Sequence, residues 1–173
     1  MKKNLILTGM MGVGKSTIGR ALSKRLEMQF SDIDRVIENK LEMNIKKIFE
    51  TKGELFFRKI EEKITLQELK RENIVISLGG GAIMNSKIKK NILLSGKSFW
   101  LDLDIKLLEK RLNVTKKRPL LNNKNLGKNL GETLKKIYEK RKNTYATADY
   151  RIDCNKLNLS LITGKIVRLY ANN

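Results

Sequence analysis

A glycine-rich segment near the start of the chain has the residue types and spacing of a phosphate-binding loop. Gly9 to Thr17, with the sequence Gly-Met-Met-Gly-Val-Gly-Lys-Ser-Thr, satisfies the pattern G-x-x-x-x-G-K-[ST]. Glycines let the backbone curl so that successive N–H groups point at phosphates from the start of a helix. Lys15 is spaced to reach the β- and γ-phosphates, and Ser16 to offer its hydroxyl directly to Mg²⁺. The segment predicts a site for ATP and Mg²⁺, whose nucleotide contacts come from Gly12, Val13, Gly14, Lys15, Ser16 and Thr17.

Two carboxylates follow a predicted strand that ends near residue 30. Asp32 and Asp34 are two residues apart, so on an extended chain they share a face and, at the carboxyl end of the sheet, face the nucleotide. That arrangement assigns one carboxylate to Mg²⁺ and its waters and the other to a substrate hydroxyl. The alternative is a helix N-cap, in which Ser31, Asp32 or Asp34 caps the following helix. The residues alone leave both interpretations open.

A second group of polar and glycine residues lies further along the chain. Arg58 and Glu61 are three apart on a predicted helix, where they form either a surface salt bridge or a pair that holds the guanidinium in place. Gly79-Gly80-Gly81 ends a predicted buried strand and permits close approach of its backbone to a ligand. Ser77, just before these glycines, is placed to bind a Mg²⁺-bound water.

Residues 113–129 are predicted to form a mobile lid. They are rich in Asn, Lys and Gly and contain the only proline, Pro119. Arg111 precedes the segment and Arg118 lies inside it. An arginine on a flexible loop can close over the γ-phosphate and stabilise transition-state charge.

The predicted elements that position these residues alternate between strands and helices. Such alternation predicts an α/β fold, in which helices cover both faces of a parallel sheet, in one domain spanning residues 1–173. Strands are predicted at residues 4–8, 73–78, 97–103 and 150–153, and one more strand is predicted to end near residue 30. One helix is predicted to begin at residue 15, and others to span residues 34–41, 54–69, 105–112, 130–142 and 157–170.

The composition limits which side chains can act as a general base and which classes of protein the chain can belong to. The chain has no histidine, so a general base must be a carboxylate, a lysine or water. Its single cysteine, Cys154, excludes an intramolecular disulfide and is expected to be a small buried side chain. No apolar run reaches the roughly 20 residues that span a bilayer, and the start lacks a signal-peptide pattern, so we expect no membrane contact and a cytoplasmic protein.

The net charge of +19 suggests nucleic-acid binding as an alternative function. Against it, 27 of the 37 basic residues are lysine and only 10 are arginine, and they are spread along the whole chain. We therefore expect no nucleic-acid partner. The positive field would still gather anionic substrates.

The order and spacing of the motifs resemble the shikimate kinase family over nearly the whole chain. The motifs are the phosphate-binding loop, Asp32-x-Asp34, Gly53-Glu54-x-x-Phe57-Arg58-x-x-Glu61, Ser77-Leu78-Gly79-Gly80-Gly81, Arg111 with Arg118-Pro119-Leu120-Leu121, and Arg141-x-x-x-Tyr145. Three features depart from the family: Ile33 between the aspartates, a lid rich in Asn and Lys after Leu121, and an adenine loop near Asp153 that matches only loosely.

The resemblance implies a role for each matching residue. Asp32 acts on Mg²⁺ through water, and Asp34 holds the attacking hydroxyl of shikimate. Arg58 and Arg141 clamp the substrate carboxylate, and Gly80 and Gly81 contact the ring. Arg118 is the lid arginine, and Arg111 lies against adenine. With Lys15 and Asp34, Arg118 completes the predicted catalytic set. The implied fold is that of a P-loop kinase, a three-layer α-β-α arrangement with a five-stranded parallel sheet. Such kinases are usually monomers, and this family acts in aromatic amino acid biosynthesis.

Two other functions compete with this one. Gluconate also carries a carboxylate, so a gluconate or other small-molecule P-loop kinase is the nearest alternative. A non-catalytic nucleotide-binding regulator is the other, although such a protein would have no need to keep Lys15, Asp34 and Arg118 together.

Overall fold

The structure, a computed structural model, describes residues 3–114, 130–156 and 158–172. Its sheet is parallel throughout, with strand order β2-β3-β1-β4-β5, so the predicted five-stranded parallel sheet is confirmed. The strands are β1 Asn4–Thr8, β2 Gln29–Asp32, β3 Ile74–Ser77, β4 Gly96–Asp102 and β5 Tyr150–Asp153; the helices are α1 Lys15–Leu26, α2 Ile33–Leu41, α3 Ile45–Leu69, α4 Ser86–Ser95, α5 Ile105–Val114, α6 Leu130–Tyr145 and α7 Leu159–Ala171, with a 3₁₀ turn at Ala82–Met84.

The central strands are apolar on both faces because helices cover both sides of the sheet. All residues of β1 and β3 are buried. The chain moves from β1 towards β2 through α1 and from β3 towards β4 through α4, in opposite directions across the sheet. Right-handed crossovers therefore put α1 and α4 on opposite faces. α7 packs against α1, whereas α5 packs against α6.

The reversal of direction beside β1 creates a crevice at the carboxyl ends of the strands. In open α/β sheets such a crevice is where ligands bind. The glycine-rich loop follows β1, the aspartates follow β2 and the three glycines follow β3. These three motifs thus leave the sheet at the same edge.

Two helical segments were not predicted. The first is α4, in which Ile88 and Ile92 are buried while Leu93 and Leu94 are 60% and 78% exposed, so its apolar residues do not follow one face. The second is the first part of α3, from Ile45. Gly53, at φ 80° and ψ 168°, interrupts α3, and the predicted helix began only after it. That backbone conformation is open essentially to glycine alone.

Other expectations concern regions outside the sheet. The predicted lid, 113–129, lies outside the described residues except for its first two, which end α5. In the described part of the chain, no helix is both long and apolar enough to cross a membrane. Cys154 is buried as predicted, and burial raises the pKa of its thiol to about 11.

Candidate active site

The glycine-rich loop adopts a conformation that requires its glycines. Gly9, Gly12 and Gly14 have φ angles of 135°, 79° and 105°, which side chains rarely tolerate. A Cβ on Gly9 would also lie 2.4 Å from the Leu101 carbonyl oxygen of β4. Gly14 has no side chain with which to cap α1, and the helix begins at Lys15. The first N–H groups of α1 therefore face the crevice as an anion site.

Lys15 is held inside the loop rather than extended into solvent. Its side chain is only 9% exposed, and Nζ donates hydrogen bonds to the carbonyl oxygens of Gly9 at 2.9 Å and Met10 at 3.0 Å. These bonds keep a positive charge beside the start of α1. An arriving polyphosphate therefore meets a preorganised cation and helix N-terminus.

A cavity of about 240 Å³ lies over this loop, and polar residues predicted for the ATP and Mg²⁺ site line it. Ser16 and Thr17 enter it from α1, Asp32 and Asp34 from the β2–α2 junction, and Ser77 from the end of β3. All offer oxygen atoms, which hard cations such as Mg²⁺ prefer.

The two aspartates reach the cavity by a route that differs from the prediction. β2 runs to Asp32, and Asp34 already belongs to the first turn of α2, so the assumption of an extended pair was wrong. Asp32 is the N-cap of α2, its Oδ1 accepting from the Arg35 N–H at 3.5 Å. The cap and the cavity position coexist because the helix starts at the crevice. Capping and ligand binding were therefore not true alternatives.

Arg111 borders the same cavity from α5. Its Nη1 donates to the Val13 carbonyl oxygen at 3.2 Å, which joins α5 to the glycine-rich loop. The guanidinium therefore lies beside the glycine-rich loop, at the border of the cavity.

On the other side of the crevice, Gly79 is enclosed by two carboxylates. A Cβ at Gly79 would lie 2.3 Å from Glu61 Oε1 and 3.0 Å from Asp34 Oδ1. Glu61 is 2% exposed, and its Oε1 has no hydrogen-bond partner in the part of the chain that the structure describes. Burial raises the pKa of the Glu61 carboxyl above its usual value. The nearby Arg58 charge lowers this pKa and the Asp34 charge raises it, but the effect of burial is the largest.

Arg58 is held by two glutamates on its own helix. Nη1 pairs with Glu61 Oε2 at 2.7 Å, and Nη2 pairs with Glu54 Oε1 at 2.9 Å. Burial lowers the pKa of the guanidinium, but the charges and hydrogen bonds of Glu61 and Glu54 outweigh it and leave the pKa raised. The predicted Arg58–Glu61 pair is confirmed, and it fixes the guanidinium as the positioning interpretation required.

Two guanidinium groups converge on Gly81. A Cβ there would lie 3.0 Å from Arg58 Nη1 and 3.2 Å from Arg141 Nη2. Arg141 reaches this point from α6, and its Nη1 donates to the Gly80 carbonyl oxygen at 3.0 Å. Paired guanidinium groups match the two oxygens of a carboxylate. A Cβ at Gly81 would press on both guanidinium groups, so the glycine leaves room between the two arginines.

Comparison with known proteins identifies the family. The family model for shikimate kinase matches residues 11–170. A shikimate kinase of Sulfurihydrogenibium sp. is 40% identical over 165 residues, covering 95% of this chain and 96% of that protein. The chain belongs to the shikimate kinase family. It is an ATP-dependent kinase, and the fold and function implied by the motifs are confirmed at this level.

Solved structures agree with the family assignment. The shikimate kinase of Acinetobacter baumannii in complex with shikimate superposes with a TM-score of 0.90 at 32% identity, covering 96% of this chain and 92% of that one. A gluconokinase of Sinorhizobium meliloti gives a TM-score of 0.59 at 14% identity, which shows a shared fold alone.

Most of the predicted site residues of this shikimate kinase family member surround one crevice. The nucleotide side holds the glycine-rich loop, Asp32 and Arg111, and the opposite side holds Arg58, Gly80, Gly81 and Arg141, with Asp34 between them. Arg118 lies outside the described residues. The sequence did not predict that Gly79 lies between the carboxylates of Asp34 and Glu61, or that the Tyr145 hydroxyl donates a hydrogen bond to the Gly80 carbonyl oxygen. The i, i+4 spacing of Arg141 and Tyr145 on α6 was the available signal for the second.

Proposed function

We propose that the protein transfers the γ-phosphoryl group of ATP to the 3-hydroxyl of shikimate, giving shikimate 3-phosphate and ADP, as a step in aromatic amino acid biosynthesis. The observation that carries this proposal is the convergence of Arg58 and Arg141 on Gly81, with Asp34 close by at Gly79. The site thus combines a carboxylate clamp with a carboxylate for the reacting hydroxyl.

In this proposal the nucleotide side binds and orients ATP. The N-terminus of α1 and Lys15 neutralise the β- and γ-phosphates, and Arg111 lies against adenine. Lys15 already lies in the loop, so it needs only to exchange backbone carbonyls for phosphate oxygens. Arg118 is assigned to the γ-phosphate from the lid.

Mg²⁺ is the proposed cofactor, and the donor set fits it. Ser16, Asp32 and Ser77 line the same cavity; Ser16 would supply a hydroxyl oxygen directly, and Asp32 would act through water. Mg²⁺ commonly takes one or two protein oxygens in addition to substrate phosphates and water. When bound, it neutralises charge on the β- and γ-phosphate oxygens.

On the acceptor side, positioning is the main contribution of the protein. Arg58 and Arg141 orient the carboxylate, so that the hydroxyl lies beside Asp34 for in-line attack on the γ-phosphorus. Phosphoryl transfer depends more on alignment and charge neutralisation than on a strong base. Asp34 accepts the hydroxyl proton or orients the hydroxyl. We further propose one kinase domain over residues 1–173 that acts as a cytoplasmic monomer.

The test measures ADP release by the purified protein with Mg-ATP and shikimate, gluconate, a nucleoside monophosphate or no acceptor. We expect turnover with shikimate alone, and mass spectrometry should show one added phosphoryl group on it. ATP binding without turnover on shikimate contradicts the substrate assignment and favours the regulatory alternative. Asp34→Asn should lower kcat by about 100-fold or more if Asp34 is the proton acceptor, since general base catalysis contributes that much. Retention of most of kcat would leave Asp34 an orienting group.

A further inference from the structure

Tyr145 is a buried polar residue to which the proposed mechanism gives no role. Its side chain is fully buried at the end of α6. The phenol O–H donates a hydrogen bond to the Gly80 carbonyl oxygen and lies 3.8 Å from Met10 Sδ in the glycine-rich loop. The residue therefore contacts both the acceptor side and the nucleotide side of the crevice.

The same carbonyl receives a second hydrogen bond. Arg141, one turn earlier on α6, donates from Nη1 to the Gly80 oxygen at 3.0 Å. A carbonyl oxygen has two lone pairs, so these bonds use both. α6 thus holds the Gly80 carbonyl through two side chains, one of which belongs to the carboxylate clamp.

Fixing this carbonyl also fixes the next N–H group. The peptide unit between Gly80 and Gly81 is planar, so the Gly81 N–H points opposite the Gly80 carbonyl. Glycines have the widest choice of backbone conformations, so three in succession would otherwise leave this segment loosely determined. Backbone N–H groups of Ala82 and Met84 hold the carbonyls of Gly79 and Gly81, and the bonds from α6 hold the Gly80 carbonyl between them.

Packing around the ring keeps Tyr145 in place. Its ring stacks on Trp100 of β4, with centroids 6.0 Å apart and an interplanar angle of 26°. Burial raises the pKa of the phenol above its usual value, with Arg141 and Arg58 opposing, so the group remains a hydrogen-bond donor at neutral pH. The donor is thus rigid as well as protonated.

We infer that Tyr145 is a positioning residue for the acceptor, which sets the Gly80–Gly81 backbone and, through the shared carbonyl, the orientation of Arg141. This inference rests on the proposed function. It implies that loss of the hydroxyl weakens binding of shikimate while binding of ATP stays unchanged.

The test compares Tyr145→Phe with the matched control Tyr138→Phe. Both variants remove one phenol oxygen from α6, but the Tyr138 hydroxyl lies 3.4 Å from Asp102 Oδ1, away from the three glycines. We expect Tyr145→Phe to raise the KM for shikimate about three- to tenfold, the range of one net hydrogen bond, with the KM for ATP unchanged. Tyr138→Phe should leave both values unchanged.

Several outcomes separate the inference from its alternatives. If Tyr145 had a purely structural role, Tyr145→Phe would lower the melting temperature, and it would lower the apparent kcat because less of the protein is folded. The KM for shikimate would then keep its wild-type value, and that result overturns the inference. Failure of the wild type to phosphorylate shikimate contradicts the proposed function instead.

If Tyr145→Phe does not fold, ¹⁹F NMR of the wild type carrying 3-fluorotyrosine replaces the kinetic comparison. The chain has four tyrosines, and Tyr→Phe variants at the other three assign the Tyr145 signal. Addition of shikimate should shift that signal, and an unmoved signal overturns the inference.

Discussion

Gly79 offers the most direct perturbation of the acceptor side. In Gly79→Ala the new Cβ would lie 2.3 Å from Glu61 Oε1 and 3.0 Å from Asp34 Oδ1. To regain an ordinary contact distance, the Glu61 oxygen has to move by about 1 Å. Its other oxygen holds Arg58 Nη1 at 2.7 Å, so the guanidinium moves too. One methyl group therefore displaces both the clamp and the carboxylate assigned to the hydroxyl.

The expected loss follows from that displacement. Misplacement of a positioning group by 1 Å costs about 100-fold in rate, so kcat/KM for shikimate should fall about 100-fold. Overpacking costs about 1–3 kcal/mol, and for a domain of this size each kcal/mol lowers the melting temperature by about 2–4 °C. The variant should therefore stay folded at 25 °C. Its Kd for ADP, measured by calorimetry, should remain near the wild-type value because the atoms nearest the added Cβ belong to Glu61 and Asp34.

Gly164→Ala on α7 is the matched control. Among the described residues, a Cβ there meets Arg25 Nη1 alone, at 3.7 Å, which is an ordinary contact. Replacing a mid-helix glycine by alanine should stabilise the protein by up to about 1 kcal/mol and leave kinetics unchanged. A Gly79→Ala protein whose kcat/KM for shikimate stays within about threefold of wild type would refute the argument from geometry.

Two further predictions concern stability. Asn4 is buried and joins the end of α3 to β3, because its Nδ2 donates to the Arg71 carbonyl oxygen and its Oδ1 accepts from the Ile74 N–H at 3.3 Å. Asn4→Ala leaves these groups unpaired and should lower the free energy of unfolding, measured by urea titration, by about 2–3 kcal/mol. An unchanged urea midpoint would contradict this prediction. The raised pKa of Glu61 means that the folded state holds a proton there that the unfolded chain has already released. The stability contributed by this group is therefore present at low pH and lost as pH rises from the unfolded pKa through the folded one. Urea titrations across that interval should show the loss in wild type but not in Glu61→Gln, and parallel pH profiles would count against it.

Local spacing determined the parts of the site that lie close together in the chain. The pattern from Gly9 to Thr17 predicted the phosphate-binding loop, since its mechanism needs only a strand, glycines and a helix start in succession. The pair Arg58 and Glu61 followed from helical period in the same way. Alternating strands and helices were sufficient for a parallel sheet.

Tertiary structure alone decided how distant segments meet. Gly79, Asp34 and Glu61 come from three separate elements, and no periodicity relates them. Tyr145 contacts a carbonyl 65 positions earlier in the chain, across the crevice. Even Asp32 and Asp34, two residues apart, meet the cavity across a strand-to-helix boundary that spacing misjudged. Sequence spacing determines which side chains share a face within one element, because the period of a helix or strand is local. Distances between elements depend on the packing of helices against the sheet, and here that packing placed two carboxylates and two guanidinium groups around three glycines.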